Sequence, residues 1–163
     1  MNRRRSDPEH LSTAFSTIDH KPTHEDEKAR ILKAGGLLSP GSVGGGVPAR
    51  VFPGKDSRMG LSVSRGFGDE KFKRPADFPP EDQIVSCVPE VFEYELSSGD
   101  EYLILATDGI WDQVSNRDFA DFMGELSESI QESACSICNL ASERASLDDM
   151  TILVVDLREH NNL

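Results

Sequence analysis

Long apolar runs are missing from this sequence. No stretch approaches the roughly 20 apolar residues of a membrane-spanning helix, and the N-terminus lacks the apolar segment of a secretory signal. The chain has only three cysteines, too few for a closed disulfide framework. These absences predict an intracellular protein that contacts no membrane, and we place it in the cytoplasm. The short basic run Arg3–Arg5 leaves a nuclear localisation signal as an open alternative.

Basic residues are also scarce. The 163 residues contain 17 Lys and Arg against 29 Asp and Glu, which gives a net charge of −12. Because nucleic-acid binding needs clustered positive charge, this class of partner is excluded, whereas the acidic balance favours cation binding. The length and the 37% hydrophobic content are typical of a single globular domain with its own core.

Soft metal ligands are too few for a structural zinc site. Cys135 and Cys138 form one Cys-x-x-Cys pair, and Cys87 is the only other cysteine, whereas a zinc site wants further soft ligands. The pair lies within residues 129–145, where apolar residues recur at helical spacing. We therefore interpret these cysteines as packing residues.

The chain is organised around an apolar strand that ends in an acidic turn. The run 102–106 is short, apolar and followed by Thr-Asp-Gly, which predicts a buried strand ending at a turn. Asp108 lies in this turn, and Asp112 follows four residues later. A carboxylate at the end of a buried strand needs a hydrogen-bond donor or a cation as its partner. Two interpretations stay open: the backbone donors of a capping turn in which Gly109 takes a positive φ, or a bound cation.

A second acidic turn precedes the last predicted strand. Asp148 lies just before the apolar run 151–156, whereas Asp108 follows its own strand. If the two strands pair antiparallel, both carboxylates reach the same edge of the sheet. Hard cations prefer oxygen ligands, so this arrangement predicts a shared cation site at that edge.

The remaining segments predict a mixture of helices and strands. A helix over about 24–34 is predicted to start at a Thr23/Asp26 capping box. A glycine-rich, flap-like region over about 37–58 follows, and it lacks the Gly-Lys-Ser/Thr of a nucleotide phosphate loop. The other predictions are strands at 59–63, 84–88 and 91–96, helices at 116–126 (capped by Ser115 or Asn116) and 129–145, a flexible lead at 1–14 and a tail at 159–163.

Several short motifs run through the chain in a defined order. They are Asp19-His20-Lys21-Pro22, Glu27 with Arg30 and Ile31, Gly35-Gly36, Arg50-Val51, Leu61-Ser62-Val63-Ser64-Arg65, Gly68-Asp69, Asp108-Gly109-Ile110-Trp111-Asp112 and Asp148-Asp149-Met150-Thr151. Their order and spacing resemble the metal-dependent, type 2C protein serine/threonine phosphatases from about residue 15 to residue 156, and we assign residues 15–158 to this domain.

The resemblance implies an α+β fold, part of a four-layer α-β-β-α sandwich of antiparallel sheets flanked by helices. It implies Mg²⁺ or Mn²⁺ as cofactor and a phosphoprotein as substrate. Water activated by the metal would attack the phosphorus of a phosphoserine or phosphothreonine, since hard cations lower the pKa of bound water and neutralise phosphoryl charge. No cysteine or serine nucleophile is then required.

The resemblance also assigns roles to single residues. It implies metal ligation by Asp108, Asp148, Asp19 and Asp112, the last two at an additional and weaker site, and supporting or substrate-side roles for Ser64, Arg65 and Asp69. Other interpretations stay open: Asp19 and Asp112 as turn or cap residues, and Arg65 as a counter-charge for nearby carboxylates.

Three departures from the family pattern are visible. The phosphate-binding arginine, the acidic pair and the Asp-Gly-His-Gly turn of the family's N-terminal half are not found, so the chain resembles the C-terminal half only. Asp149 stands where the family usually has asparagine, and the glycine-rich region 38–47 is enlarged. Strands without their sandwich neighbours should expose open edges and apolar faces, which a partner or self-association would cover.

Two classes of function follow. The first is a type 2C phosphatase, seen as a fragment or a truncated product. The second is a non-catalytic pseudophosphatase or regulatory binding module derived from the same fold. A haloacid-dehalogenase phosphatase is excluded because Ala106, not Asp, stands two residues before Asp108, and the acidic spacing does not fit an EF-hand loop.

Overall fold

The computed structural model describes residues 2–3, 11–42, 47–124 and 129–158. The chain divides into two compact units, a terminal unit of Met1–Ser16 with Glu93–Leu163 and a central unit of Thr17–Phe92. Most of the predicted lead, the centre of the glycine-rich region and the predicted tail lie outside the described residues. No described helix is both long enough and apolar enough to cross a membrane.

The described elements confirm the α+β class. The strands are β1 (Asn2–Arg3), β2 (Leu11–Ser12), β3 (Leu37–Ser39), β4 (Arg50–Phe52), β5 (Tyr102–Ala106) and β6 (Ile152–Asp156); the α-helices are α1 (Glu25–Lys33), α2 (Asp108–Trp111), α3 (Asn116–Gly124) and α4 (Ile130–Glu143). All three strand pairs, β1 with β2, β3 with β4 and β5 with β6, are antiparallel.

Strands β5 and β6 form the longer of the two sheets described in the terminal unit. They pair in register from Tyr102↔Asp156 to Ala106↔Ile152, which confirms the predicted antiparallel arrangement. Successive side chains of a strand point to opposite faces. On one face the sheet packs against the core beneath α3 and α4, whose buried members are Leu11, Tyr102, Ile110, Val114, Phe119, Ala120, Met123, Ile137 and Ala141.

The opposite face of this sheet is apolar and exposed. Leu103 pairs with Val155 and Leu105 pairs with Leu153, so the four side chains lie on the same face. Each is between 37% and 57% exposed. The expected exposed apolar face is therefore present on the β5–β6 sheet, whose other face packs against helices.

The start of the terminal unit differs from the predicted flexible lead. Leu11 in β2 is only 6% exposed and packs in the core described above. The sequence 1–14 has no period, so its single buried leucine could not be identified by pattern.

The helix starts illustrate how local sequence sets boundaries. Ser115 caps α3, because its Oγ accepts from the Asp118 N–H at 3.2 Å while Asp118 Oδ2 accepts from the Ser115 N–H at 2.8 Å. Ser129 and Glu132 cap α4 in the same way. The predicted capping box of α1 is wrong: the cap residue is His24, without a side-chain cap bond. Instead, three acidic residues in the first turn of α1 interact favourably with the helix dipole and stabilise this end of the helix.

The Cys-x-x-Cys pair lies on α4, with one cysteine facing outward. Cys138 is partly buried and packs against the core, as predicted, whereas Cys135 is exposed. Together with Cys87, both are free thiols.

The central unit is built around α1. Its core contains Ile31, Ala34, Val51, Phe72, Ile84 and Val85. The flap-like region is not wholly a loop, because its two ends form the β3–β4 pair. Strands are not formed at 59–63, 84–88 or 91–96; single bridges join Leu61 to Val51 and Ser86 to Arg65. Alternation predicts which side chains turn inward, but a strand also needs a neighbour to pair with.

Candidate functional site

Thr107 joins the two acidic turns at the end of the β5–β6 sheet. Its N–H donates to the carbonyl of Thr151 at 3.0 Å, and its Oγ1 donates to the carbonyl of Asp149 at 2.9 Å. The same Oγ1 accepts from the N–H of Thr151 at 3.0 Å. One side chain therefore fixes the end of β5 to the turn that precedes β6.

Gly109 permits the close approach of these turns. A Cβ at this position would lie 2.5 Å from the backbone oxygen of Asp149, which is too close for any residue but glycine. Ser146 Oγ donates to the Gly109 carbonyl at 2.6 Å, adding a second link. Gly109 lies within α2 and is not among the glycines with positive φ, so the predicted positive φ is wrong.

Asp108 and Asp148 both lie at this junction, as predicted. Asp108 is the first residue of α2, and Asp148 lies in the turn whose Asp149 N–H donates to Asp148 Oδ1 at 2.8 Å. Both side chains are exposed, as is Asp112 at the end of α2. These are hard oxygen donors of the kind that Mg²⁺ and Mn²⁺ prefer. Over the described ranges, however, no three His, Cys, Asp or Glu residues gather as a metal-binding group, so the donor set fits a cation only in part.

Asp19 belongs to the central unit, whereas Asp108, Asp112 and Asp148 belong to the terminal unit. The Asp19 carboxylate lies 3.4 Å from Lys21 Nζ in an exposed ion pair, and its carbonyl accepts from the Lys21 N–H at 2.9 Å. This local turn agrees with the interpretation of Asp19 as a turn residue.

Ser64 is fully buried and supports the turn that carries Asp19. Its N–H and its Oγ both donate to the carbonyl of His20, at 2.9 and 2.8 Å. The carbonyl of Ser64 accepts from Arg30 Nη2 at 2.9 Å. Ser64 thus holds the backbone of His20, the residue next to Asp19.

Arg65 forms an ion pair inside the central unit. Its Nε and Nη2 donate to Glu27 Oε1 at 3.0 and 2.6 Å, and Nη2 lies 3.6 Å from Glu90 Oε1. The Glu27 carboxylate raises the pKa of the guanidinium. The structure therefore favours Arg65 as a counter-charge, one of the two interpretations left open by the sequence.

Glu27 is the centre of a buried charge network. It is only 4% exposed, and its second oxygen, Oε2, accepts from Arg30 Nη2 at 2.5 Å. Burial alone would raise the pKa of this carboxyl, but the hydrogen bonds and charges of Arg65 and Arg30, with the nearby Ser64 hydroxyl, outweigh burial and lower the pKa to about 2. Glu27 is therefore ionised at every physiological pH.

The network reaches the loop after β4 and the His20 turn. Arg30 Nη1 donates to the carbonyls of Gln83 and Ile84. His20 Nε2 lies 3.1 Å from Glu90 Oε2.

Asp69 lies on the surface in a left-handed conformation, with φ of 51°. Its carbonyl accepts from the Phe72 N–H at 2.8 Å, which starts a single 3₁₀ turn. Aspartate tolerates this conformation better than most residues. The observed role of Asp69 is thus to form the turn.

Sequence reasoning assigned no role to Thr107, Glu27 or Glu90. A signal for Glu27 was present, because it lies four residues before the buried Ile31 and thus on the inward stripe of α1. A carboxylate on such a stripe predicts a cationic partner. Thr107 and Glu90 lie in irregular segments, where spacing carries no such signal.

Comparison with known proteins agrees with these motifs. The family described as Protein phosphatase 2C has a model that matches residues 5–150. The "Protein phosphatase 2C homolog 3" of Schizosaccharomyces pombe is 35% identical over 156 residues, which cover 90% of this chain and 34% of the relative.

Two solved structures from Toxoplasma gondii share the fold. One, titled a phosphatase from a pathogenic strain, is 31% identical with a TM-score of 0.69, over 85% of this chain and 40% of that one. The other, titled serine-threonine phosphatase 2C, is 25% identical with a TM-score of 0.67, over 87% of this chain and 46% of that one.

With this match, the chain belongs to the protein phosphatase 2C family. It spans about a third of the length of the curated relatives that it matches.

Proposed function

We propose that this chain is the C-terminal portion of a metal-dependent protein serine/threonine phosphatase domain. The family match over residues 5–150 carries the proposal. A solved relative titled serine-threonine phosphatase 2C supports phosphoserine and phosphothreonine proteins as the substrate class. The three free cysteines agree with an intracellular compartment.

We assign Mg²⁺ or Mn²⁺ ligation to Asp108 and Asp148. Thr107 and Ser146 link the turns that carry these carboxylates, so the backbone segments of Asp108 and Asp148 are held next to each other. The cation, when bound, supplies a Lewis acid that polarises water and a phosphoryl oxygen. Because the described residues provide no group of three ligands, the part of the domain that this chain does not span would supply further donors.

The other predicted residues take lesser roles in this proposal. Asp19 and Asp112 are assigned to an additional, weaker metal, and Asp69 to the substrate side. Ser64 and Arg65 act as supports, because they hold the His20 carbonyl and the buried Glu27.

Metal binding is the first test. Titration calorimetry of the purified chain with Mn²⁺ should detect weak binding that is lost in Asp108→Ala and reduced in Asp148→Ala. Asp77→Ala, which removes one exposed charge from a loop of the central unit, is the matched control and should bind like wild type. Wild-type binding by both junction variants would show that the turns do not hold a metal.

Activity is the second test. We expect Mn²⁺-dependent hydrolysis of a phosphothreonine peptide only when the remainder of a family domain is supplied, and not by the chain alone. Asp108→Ala with the same remainder controls for contaminating phosphatases. Hydrolysis by the chain alone, abolished in Asp108→Ala, would show that these 163 residues complete a site by themselves.

A non-catalytic pseudophosphatase or regulatory module is the second candidate. One observation favours it: the described residues do not assemble a group of three metal ligands. Binding of a phosphothreonine peptide without turnover, with the remainder of the domain present, would select this candidate.

A further inference from the structure

Cys135 and Cys138 lie about one helical turn apart on α4 and line the same groove. Both lie more than one turn away from either end of this helix. Cys135 is exposed, whereas Cys138 is partly buried against the core. The groove lies between α4 and β6, is lined also by Ile130, Ile152 and Val154, and has a volume of about 380 Å³. Because a water molecule takes up about 30 Å³ in the liquid, small solutes have room to reach the pair.

The helical spacing of the two cysteines is compatible with a disulfide bond. In an α-helix, Cα atoms three residues apart are separated by about 5 Å, and a disulfide spans Cα separations of roughly 4.4–6.8 Å. The Cβ atoms of such neighbours lie about 5–6 Å apart, against roughly 3.5–4.5 Å in a disulfide. Closure therefore requires one turn of α4 to tighten by about 1–2 Å. A disulfide that forms against such a distortion is readily reduced again.

The groove does not provide the further ligands that a thiolate-bound metal needs. A structural zinc site uses four ligands. Beside the two cysteines, the polar side chains of the lining are the amides of Gln131 and Asn139. Among the described residues, no third His, Cys, Asp or Glu joins the pair as a metal-binding group. The chemistry that fits the pair is therefore the reaction of the two thiols with each other.

The two thiols differ in their accessibility and in their protonation. Cys135 Sγ accepts a hydrogen bond from Gln131 Nε2 at 3.8 Å and belongs to the exposed cysteine of the pair. Burial raises the pKa of the Cys138 thiol, and the nearby Cys135 raises it further. The thiolate is the attacking species in thiol chemistry. Cys135 should therefore react first with an oxidant from solution, and Cys138 second.

We propose that Cys135 and Cys138 form a site of reversible oxidation, which a small-molecule disulfide such as oxidised glutathione closes to a disulfide bond. Cys135 gives its proton to solvent and attacks one sulfur of the glutathione disulfide, whose S–S bond breaks, and one glutathione leaves and takes up a proton. Cys138 then gives up its proton, attacks the Cys135 sulfur and expels the second glutathione, which is protonated in turn. The two cysteines lose two electrons, and the glutathione disulfide is reduced to two thiols. This site does not depend on the proposed phosphatase function.

The test follows the thiols of the full chain by mass spectrometry. The reduced protein is incubated with oxidised glutathione, quenched in acid, blocked with N-ethylmaleimide and digested with trypsin. One tryptic peptide, residues 118–144, carries both cysteines of the pair, and Cys87 lies on another. Peptide 118–144 should lose two hydrogen atoms and regain them in excess reduced glutathione. Cys87 is the control, because it is the only cysteine of the central unit and should be either blocked or carry a glutathione adduct.

Two single-cysteine variants of the pair separate the two steps. Cys138→Ser should stop at a glutathione adduct on Cys135, whereas Cys135→Ser should form an adduct on Cys138 about tenfold more slowly. In concentrated urea, where Cys138 is no longer buried, the two variants should react at similar rates. Trp111 fluorescence, from the only tryptophan, checks that each variant is folded in the absence of urea.

Three outcomes would overturn the inference. Peptide 118–144 of the wild-type chain could keep both thiols or carry two glutathione adducts in place of a disulfide. The disulfide could join two chains instead of closing within one. Equal rates of adduct formation in the two folded variants would show that Cys135 is not the first thiol to react. The wild-type result does not depend on the variants, so it decides the inference even if Cys138→Ser fails to fold.

Discussion

Glu27 Oε1 accepts hydrogen bonds from both Nε and Nη2 of Arg65, so one guanidinium closes on a single buried carboxylate oxygen. Arg30 occupies the other oxygen and extends to the carbonyl of Ser64. Ser64 in turn holds the carbonyl of His20, next to Asp19. A buried charge therefore supports the turn that carries a candidate metal ligand.

Removal of Glu27 should destabilise the central unit strongly. Glu27→Ala leaves two guanidinium groups without their buried partner, for which we expect a loss of about 3–5 kcal/mol in the free energy of unfolding. Pulsed thiol labelling of Cys87 in urea measures this unit, since Cys87 is its only cysteine.

The control for this experiment is Glu25→Ala, which removes an exposed carboxylate from the first turn of the same helix. Its effect should stay within a few tenths of a kcal/mol, the size of a helix-dipole contribution. Equal urea midpoints for Cys87 labelling in Glu27→Ala and wild type would show that the network is not stabilising.

Protonation of Glu27 should destabilise the folded chain at acidic pH. Its carboxyl has a pKa of about 2 in the folded chain against 4.5 as the ordinary value, so ionisation stabilises the folded state above pH 4.5. The corresponding stabilisation, about 3 kcal/mol, is lost as the pH falls from 4.5 towards 2. Urea midpoints measured from pH 6 to pH 2 should fall more steeply in wild type than in Glu27→Gln, and parallel curves would contradict the assignment.

Much of the terminal unit follows from sequence patterns. The apolar run at 102–106 and the run before Asp156 predicted β5 and β6, and the placement of Asp108 and Asp148 at opposite strand ends predicted their common edge. These inferences succeed because they depend on short, continuous apolar runs and on pairing within the unit. The number of further metal ligands beside Asp108 and Asp148 was not predictable, because it depends on which turns lie next to each other in three dimensions.

The segment 91–96, which begins in the central unit and ends in the terminal unit, shows where pattern reasoning fails. Residues 91–96 alternate polar and apolar side chains, yet they form no strand, and Val91 and Leu96 remain more than 60% exposed. Alternating side chains place the apolar residues on one face of the segment. That face is buried only if another segment packs against it. The alternation therefore predicts that one face of the segment can be covered, but it does not predict that the segment forms a strand.

Thr107 should contribute to the junction through its hydroxyl. Thr107→Val keeps the shape but removes one donor to Asp149 and one acceptor for the Thr151 N–H. We expect a loss of about 1–3 kcal/mol in the stability of the terminal unit, read from Trp111 fluorescence in urea. Thr151→Val leaves its backbone N–H in place and should cost less. If both valine variants unfold at the same urea concentration, the Thr107 hydroxyl does not hold the turns together.

Gly109→Ala should destabilise the terminal unit, although helix propensity alone predicts the opposite. Alanine is favoured over glycine inside a helix by about 1 kcal/mol. At Gly109, however, the added Cβ would meet the Asp149 backbone oxygen at 2.5 Å and force the two acidic turns apart. We expect a net loss of about 1–3 kcal/mol.

The matched control is Gly124→Ala at the end of α3, where an added Cβ would have ordinary contacts of 3.7 Å or more. This variant should be neutral or slightly stabilised. Urea unfolding followed by Trp111 fluorescence reports both variants, because Trp111 packs against Phe119 at 4.5 Å between ring centroids inside the same unit. Since separation of the turns also separates Asp108 from Asp148, Gly109→Ala should in addition weaken Mn²⁺ binding under conditions where the variant is fully folded. A Gly109→Ala chain as stable as Gly124→Ala, with unchanged Mn²⁺ affinity, would show that the close approach of the turns is not required.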